Sequence, residues 1–273
     1  MTNNVNELYN RLVAEVLLED EEIQREYLSM VEDYRHISVD YLLSVGAVFI
    51  PNDEYIAHFL GQEIKQTNNC FYFNGRCLWS LFVIFPVRDL SGAVVAINGW
   101  DAYNKYLERS GEEQGLSMYK LSSKAIFPKE RHFFADTECL KSTFDTRVIF
   151  ITDGMFDTLA MSYRGIPAMA LLGSSFSPEI LYFLRWYHTV YVCSDNDAAG
   201  LRLYNELKKS LPRVFRVCQN KTKDIEELLR SDGFDGPITK TLISTMSDRP
   251  QADVYLSVGN RRFKGARVSR PNE

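Results

Sequence analysis

Between residues 144 and 233 the chain alternates short apolar runs with amphipathic stretches. The apolar runs fall at 147–151, 168–172, 189–194 and 214–218, each of strand length. Helical spacing follows each run, at 155–164, 178–187, 198–211 and 225–232. Ser177-Pro178-Glu179 predicts an N-cap, a first-turn proline and an acid at the positive end of its helix, while Gly165 and Gly233 stop theirs. Strict alternation of this kind predicts an α/β domain, a mainly parallel sheet flanked by helices and joined by right-handed crossovers.

The first half reads differently. Leu8, Leu12, Val16, Ile23, Tyr27 and Val31 recur at helical spacing and predict one helix over 5–33, with its acids on the solvated face. A short helix follows at 38–44, capped by Ser38 and ended by Gly46. From 70 to 100 the pattern becomes β: an apolar run, the hairpin pair Asn74-Gly75, a strand over 81–87, a turn at 89–92 and a strand over 93–98. The expected organisation is an acidic N-terminal helix (1–33), a mixed α+β subdomain (34–143), the α/β domain (144–236) and a basic tail (237–273).

At 273 residues and 45% hydrophobic content, the chain has room for two globular domains. No apolar run reaches the roughly 18 residues of a membrane span, and the start MTNNVNELYN has no signal-peptide character, so a cytoplasmic protein without membrane contact is expected. The five cysteines form no C-x-x-C pair and the four histidines are scattered, which argues against structural zinc and for reduced thiols. A net charge of −5 argues against a general polyanion binder, but the charge is uneven. Segment 15–33 holds eight acids against one arginine, whereas segment 249–270 carries Arg249, Arg261, Arg262, Lys264, Arg267 and Arg270 against Asp253. Few hydrophobic residues in that tail leave a disordered terminus and a nucleic-acid contact both open.

The chemistry concentrates where predicted strands end. Asp153-Gly154-Met155-Phe156-Asp157 follows one, and Ser194-Asp195-Asn196-Asp197-Ala198-Ala199-Gly200 follows another. Asp195 and Asp197 are spaced to leave the same side of extended backbone, and a hard cation such as Mg²⁺ uses one or two carboxylates, leaving its other positions to water and phosphate. Gly154 and Gly200 permit tight strand-to-helix turns and close backbone approach to a phosphate. Asp157 either ligates the metal or stabilises the first turn of its helix. Asp224, in Lys223-Asp224-Ile225-Glu226, either joins the acidic cluster or caps the helix after it.

These residues resemble the Toprim domain, in which an acid-glycine pair ends one strand and D-x-D-x-x-G ends a later one. TDGMFDTLA, Leu172-Gly173-Ser174-Ser175, SDNDAAG and KDIEELL occur in family order over 146–232. Upstream, Tyr34-Arg35-His36-Ile37-Ser38, IFPVRDLSGAVVAING at 84–99 and LSSKAIFPK at 121–129 are similar to DnaG-type primases. The resemblance implies a Toprim-type sheet preceded by a primase-type α+β subdomain, and a DNA-directed RNA polymerase that makes primers by Mg²⁺- or Mn²⁺-dependent nucleotidyl transfer. It implies metal binding by Asp195, Asp197 and Asp224, proton transfer or positioning by Asp153 and Asp157, and contacts to nucleotide or template from Arg88, Lys120, Lys124, Lys129, Gly154 and Gly200.

The chain also departs from the family. Asp153 stands where glutamate is usual, Trp100 stands where arginine follows the glycines, and Phe82 replaces another arginine. No zinc ribbon or helicase-binding domain is visible. That resembles bacteriophage or plasmid primases which divide the work among chains, so a replicative helicase or separate template-recognition protein is an expected partner, beside single-stranded DNA and nucleoside triphosphates. Two other readings stand beside the primase: a Toprim nuclease, and a catalytically weak subunit that binds a helicase or single-stranded DNA.

Overall fold

The computed structural model describes residues 5–66, 71–89, 91–102, 133–172, 176–195, 197–217, 225–226, 229, 253–258 and 261–267, with backbone alone in the last two segments. The chain divides into two compact units, Met1–Pro128 and Lys129–Glu273.

In the first unit the expected single helix is two, α1 (Val5–Glu19) and α2 (Glu21–Arg35). Asp20 leaves helical geometry at φ −144°, and its carboxylate accepts a hydrogen bond from the Tyr55 hydroxyl at 2.9 Å. The break resets the helical phase: Ile23, expected on the apolar face, is 45% exposed, while Gln24 is fully buried with Leu28 and Val31. Ser38 caps α3 (Val39–Ser44) by accepting from the Tyr41 amide, and Gly46 follows at φ +84°.

Three antiparallel strands, β1 (Val48–Ile50), β4 (Phe82–Arg88) and β5 (Val94–Trp100), form a sheet in the order β1-β4-β5. Between β1 and β4 run α4 (Asp53–Leu60), a 3₁₀ turn (Gln62–Gln66) and the small hairpin β2 (Tyr72–Phe73) and β3 (Arg76–Cys77). Asn74 and Gly75 turn that hairpin with φ of 49° and 71°, the left-handed pair of a type I′ turn. Tyr9, Leu12 and Val16 of α1 pack with Ile50, Ile56, Trp79, Ile84 and Ile97 into one core.

Gln24 supplies the edge of β1 with what a neighbouring strand would. Its amide nitrogen donates to the Phe49 carbonyl at 2.9 Å and its amide oxygen accepts from the Phe49 N–H at 2.8 Å. Leaving both main-chain groups buried and unpaired costs about 1–3 kcal/mol each. Gln24→Leu is therefore expected to destabilise the chain by about 2–6 kcal/mol, read as a shifted denaturation midpoint.

The second unit contains four parallel strands in the order β7-β6-β8-β9. They are β6 (Val148–Thr152), β7 (Ala168–Ala170), β8 (Thr189–Cys193) and β9 (Val214–Arg216), preceded by helices α5 (Thr137–Lys141) and α6 (Thr143–Thr146). The connecting helices are α7 (Met155–Tyr163), α8 (Pro178–Leu184) and α9 (Ala198–Ser210). Alternate side chains face opposite ways. Ile149, Ile151, Val190 and Val192 pack with Ile180 and Leu184 of α8 and with Leu203 and Leu207 of α9. On the other side Phe150 stacks on Tyr191 with centroids 5.0 Å apart, and Thr152 reaches Thr158 of α7. Helices thus cover both faces of the sheet.

Ser177 occupies the N-cap position of α8 with Pro178 and Glu179 in the first turn, as expected, but its side chain makes no capping hydrogen bond. Within the tail, whose order was left open, the described segments β10 (Asp253–Val258) and β11 (Arg261–Arg267) pair antiparallel. Gly259-Asn260 between them is a hairpin dipeptide, the signal that could have announced it. Of the helix expected at 225–232, Ile225, Glu226 and Leu229 are described, helical and buried. Among the described residues no helix is long and apolar enough to cross a membrane.

Candidate active site at two adjacent strand ends

Strand order β7-β6-β8-β9 means that the chain moves from β6 to one neighbour, then crosses back to build outward on the other side. The reversal falls between β6 and β8, the switch point at which open α/β sheets form a crevice beyond their strand ends. β6 and β8 pair in register, with Thr152 beside Cys193. Asp153-Gly154 and Ser194-Asp195 are the next residues on each, so the two acidic turns leave the sheet side by side.

Each turn has its own constraint. Gly154 is the N-cap of α7 at ordinary extended backbone, φ −110°. It is glycine for want of room: a Cβ there would come within 2.6 Å of Asp157 Oδ2. At Gly200 a Cβ would meet the Asp195 carbonyl oxygen at 2.2 Å and Ser194 Oγ at 2.7 Å. The buried Ser194 hydroxyl donates to the Gly200 carbonyl at 3.0 Å, and Asp197 Oδ1 accepts from the Gly200 N–H at 2.8 Å. Asp197 is thus the N-cap of α9 as well as an exposed carboxylate, and Asp195 is half-buried.

Asp157 sits inward, 9% exposed, and its Oδ1 accepts from the Glu226 N–H at 3.2 Å across 69 residues of sequence. It joins the first acidic turn to the start of the final helical segment. Removing that acceptor should cost about 0.5–2 kcal/mol, as loss of a helix cap does. Asp157→Ala is expected to show that loss in denaturant unfolding, whereas Asp157→Asn, which keeps an acceptor, should retain most of the stability.

Cys193 reports the local field. Burial pushes its thiol well above the ordinary range, and the negative charges of Asp157 and Asp153 push the same way. The donors that the two turns present are carboxylate oxygens, the hard set that suits Mg²⁺ or Mn²⁺. Among the described residues no three such side chains are already gathered. A cation that takes one or two carboxylates and completes its shell with water and phosphate does not require that, so the residues present fit such a metal.

Several residues here escaped sequence reasoning. Arg216, at the end of β9, donates from Nη2 to the Asp195 carbonyl at 3.3 Å and sets a guanidinium beside the second turn. Glu226 is 3% exposed beside Asp157. Thr152 donates from its hydroxyl to the Gly154 carbonyl at 3.0 Å. A hydroxyl ending a buried strand before Asp-Gly was the available signal for Thr152. Nothing local marks Arg216. Of the expected binding residues, Arg88 ends β4 in the first unit and donates to the Gly92 carbonyl at 2.9 Å, bracing the turn before β5. Asp224, Lys120, Lys124 and Lys129 lie outside the described residues.

Residues 150–229 match a family model described as Toprim-like. The structure of a DnaG primase catalytic domain bound to single-stranded DNA superposes with a TM-score of 0.62 and 22% identity, covering 89% of this chain and 80% of that one. The chain has the fold of DnaG primase catalytic cores, and residues 150–229 are similar to the Toprim-like family. The zinc-binding and RNA polymerase domains of Aquifex aeolicus primase also give a TM-score of 0.62, at 20% identity over 84% of this chain and 58% of that one. In sequence, the DNA primase of Thermotoga maritima is 27% identical over 223 residues, which is 80% of this chain and 34% of that protein. The DNA primase of Borreliella burgdorferi is 27% identical over 180 residues, 64% of this chain and 32% of that protein. The chain therefore spans about a third of the length of those relatives.

Proposed function

We propose that the chain is the polymerising core of a primase, joining ribonucleotides on single-stranded DNA to make primers for DNA replication. The observation that carries this reading is the pairing of β6 with β8, which sets Asp153 next to the turn bearing Asp195 and Asp197 at the sheet's switch point. Asp195 and Asp197 would hold Mg²⁺ or Mn²⁺, with Asp224 as a third acid. A metal held there would supply Lewis-acid charge for nucleotidyl transfer. Asp153 receives or relays the proton from the attacking 3′ hydroxyl, through a water that makes up the methylene it lacks relative to glutamate. Asp157 is a positioning residue that fixes the first turn against the segment starting at Ile225.

The remaining protein contribution is placement. Arg216 steadies the Asp195 backbone and adds positive charge where phosphate charge develops. Gly154 and Gly200 let the two acidic turns close tightly, with Asp157 and the Asp195 carbonyl in the space a Cβ would need. Lys120, Lys124 and Lys129 complete the contacts to nucleotide or template. A replicative helicase or a separate template-recognition protein brings the core to its start sites.

The test is incubation of the purified chain with labelled single-stranded DNA, Mg²⁺ and ribonucleoside triphosphates. Template-dependent RNA growth is expected. Shortening of the DNA instead would assign a nuclease, and binding with neither product an accessory subunit.

A further inference from the structure

Trp100 ends β5 at the position where the family resemblance calls for arginine. Its ring is half-buried, unlike Trp79 in the same unit, which is 2% exposed and belongs to the core. Tyr34, in the last turn of α2, faces it with ring centroids 5.6 Å apart and planes tilted by 46°. The guanidinium carbon of Arg35 sits 5.2 Å from the Trp100 ring centroid and 4.9 Å from that of Tyr34. Two aromatic rings and one planar cation thus share a single cluster.

The cluster is held stiffly from both sides. His36 takes φ +54° and returns its amide to the Glu32 carbonyl at 2.7 Å, closing α2 directly after Arg35. On the strand side, a Cβ on Gly99 would come within 2.5 Å of the Trp79 ring, so Trp79 packs directly behind the backbone that carries Trp100. Phe82 meets Trp79 edge-on at 6.0 Å. Rings fixed by helix and strand lose little freedom when a flat partner stacks on them.

The charge balance says which part of a nucleic acid would be recognised. Asp33 precedes Tyr34 and Asp101 follows Trp100, so Arg35 brings no local excess of positive charge for phosphate. What the cluster offers is π surface, and every base has a π face. We propose that Trp100, together with Tyr34 and Arg35, is a stacking platform for one unpaired base of the single strand. The proposal rests on the polymerase-core reading.

Fluorescence tests it. Trp186, 54% exposed in the other unit, is removed by Trp186→Phe, and Trp79 is buried, so a change in emission on adding DNA reports Trp100. An oligothymidylate is expected to quench this emission, and an abasic oligomer of equal length to leave it nearly unchanged. Trp100→Leu should weaken oligothymidylate binding by about 5- to 100-fold, leave abasic binding as it was, and keep the salt slope of the affinity. Trp100→Phe should bind within a few-fold of the parent. Flat emission at saturating oligothymidylate overturns the proposal without any change at Trp100. Equal losses by Trp100→Leu on both oligomers, or no loss on either, overturn it too. Quenching by a chain that makes no primers would remove the polymerase reading alone, and primer synthesis with flat emission would remove the platform alone.

Discussion

Asp195→Asn combined with Asp197→Asn is expected to lower Mg²⁺-dependent primer synthesis by roughly a thousandfold or more while the thermal midpoint barely moves. The two effects separate because Asp197 has two roles. Its Oδ1 caps α9 through the Gly200 amide, and asparagine caps a helix as well as aspartate does. Asparagine does not supply the negative oxygens that hold a hard cation, and losing a metal's charge stabilisation forfeits several kcal/mol of transition-state binding. Primer yield on single-stranded DNA and thermal unfolding of the same preparation check the pair. Undiminished synthesis would remove these carboxylates from the chemistry and leave them as turn and cap residues.

Gly200→Ala is expected to damage both fold and activity. Its new Cβ would lie 2.2 Å from the Asp195 carbonyl oxygen, with Ser194 Oγ at 2.7 Å and Ser194 Cβ at 3.0 Å. The nearest of these is backbone, so relief requires moving the 194–195 turn away from the start of α9. Overpacking of this kind costs about 1–3 kcal/mol, and a displacement of about 1 Å near a reacting centre costs on the order of a hundredfold in rate. The expected result is a lower denaturation midpoint and primer synthesis down by about two orders of magnitude. Gly154→Ala provides the contrast. There the close atom is Asp157 Oδ2, the free end of a side chain, so the loss should be smaller. Equal tolerance at both sites would refute the reading of Gly200 as the fixed point of the second acidic turn.

The regular part of the molecule was open to sequence reasoning because its signals are local. The parallel strands β6, β7 and β8 are buried on both faces and so appear as apolar runs, and the Asn74-Gly75 hairpin is written in two residues. Misreadings arose where a distant residue decided. The break at Asp20 is stabilised by Tyr55, and Gln24 is buried because it completes the edge of β1. No helical spacing within 5–33 contains either partner. Ser177 had the composition of a cap but makes no capping bond.

The site divides in the same way. That Asp153-Gly154 and the Asp195/Asp197 turn end strands was determined by the sequence alone, since periodicity and glycine placement mark strand ends locally. That these two turns are neighbours was decided by the order β7-β6-β8-β9, a matter of crossover direction. Tertiary structure also turned Asp157 inward onto the Glu226 amide, brought Arg216 to the Asp195 carbonyl, and gathered Tyr34, Arg35 and Trp100. Each of these pairings spans at least 21 residues of chain. A pattern of hydrophobic and polar positions specifies which face of an element is buried; only packing in three dimensions chooses which distant face it meets.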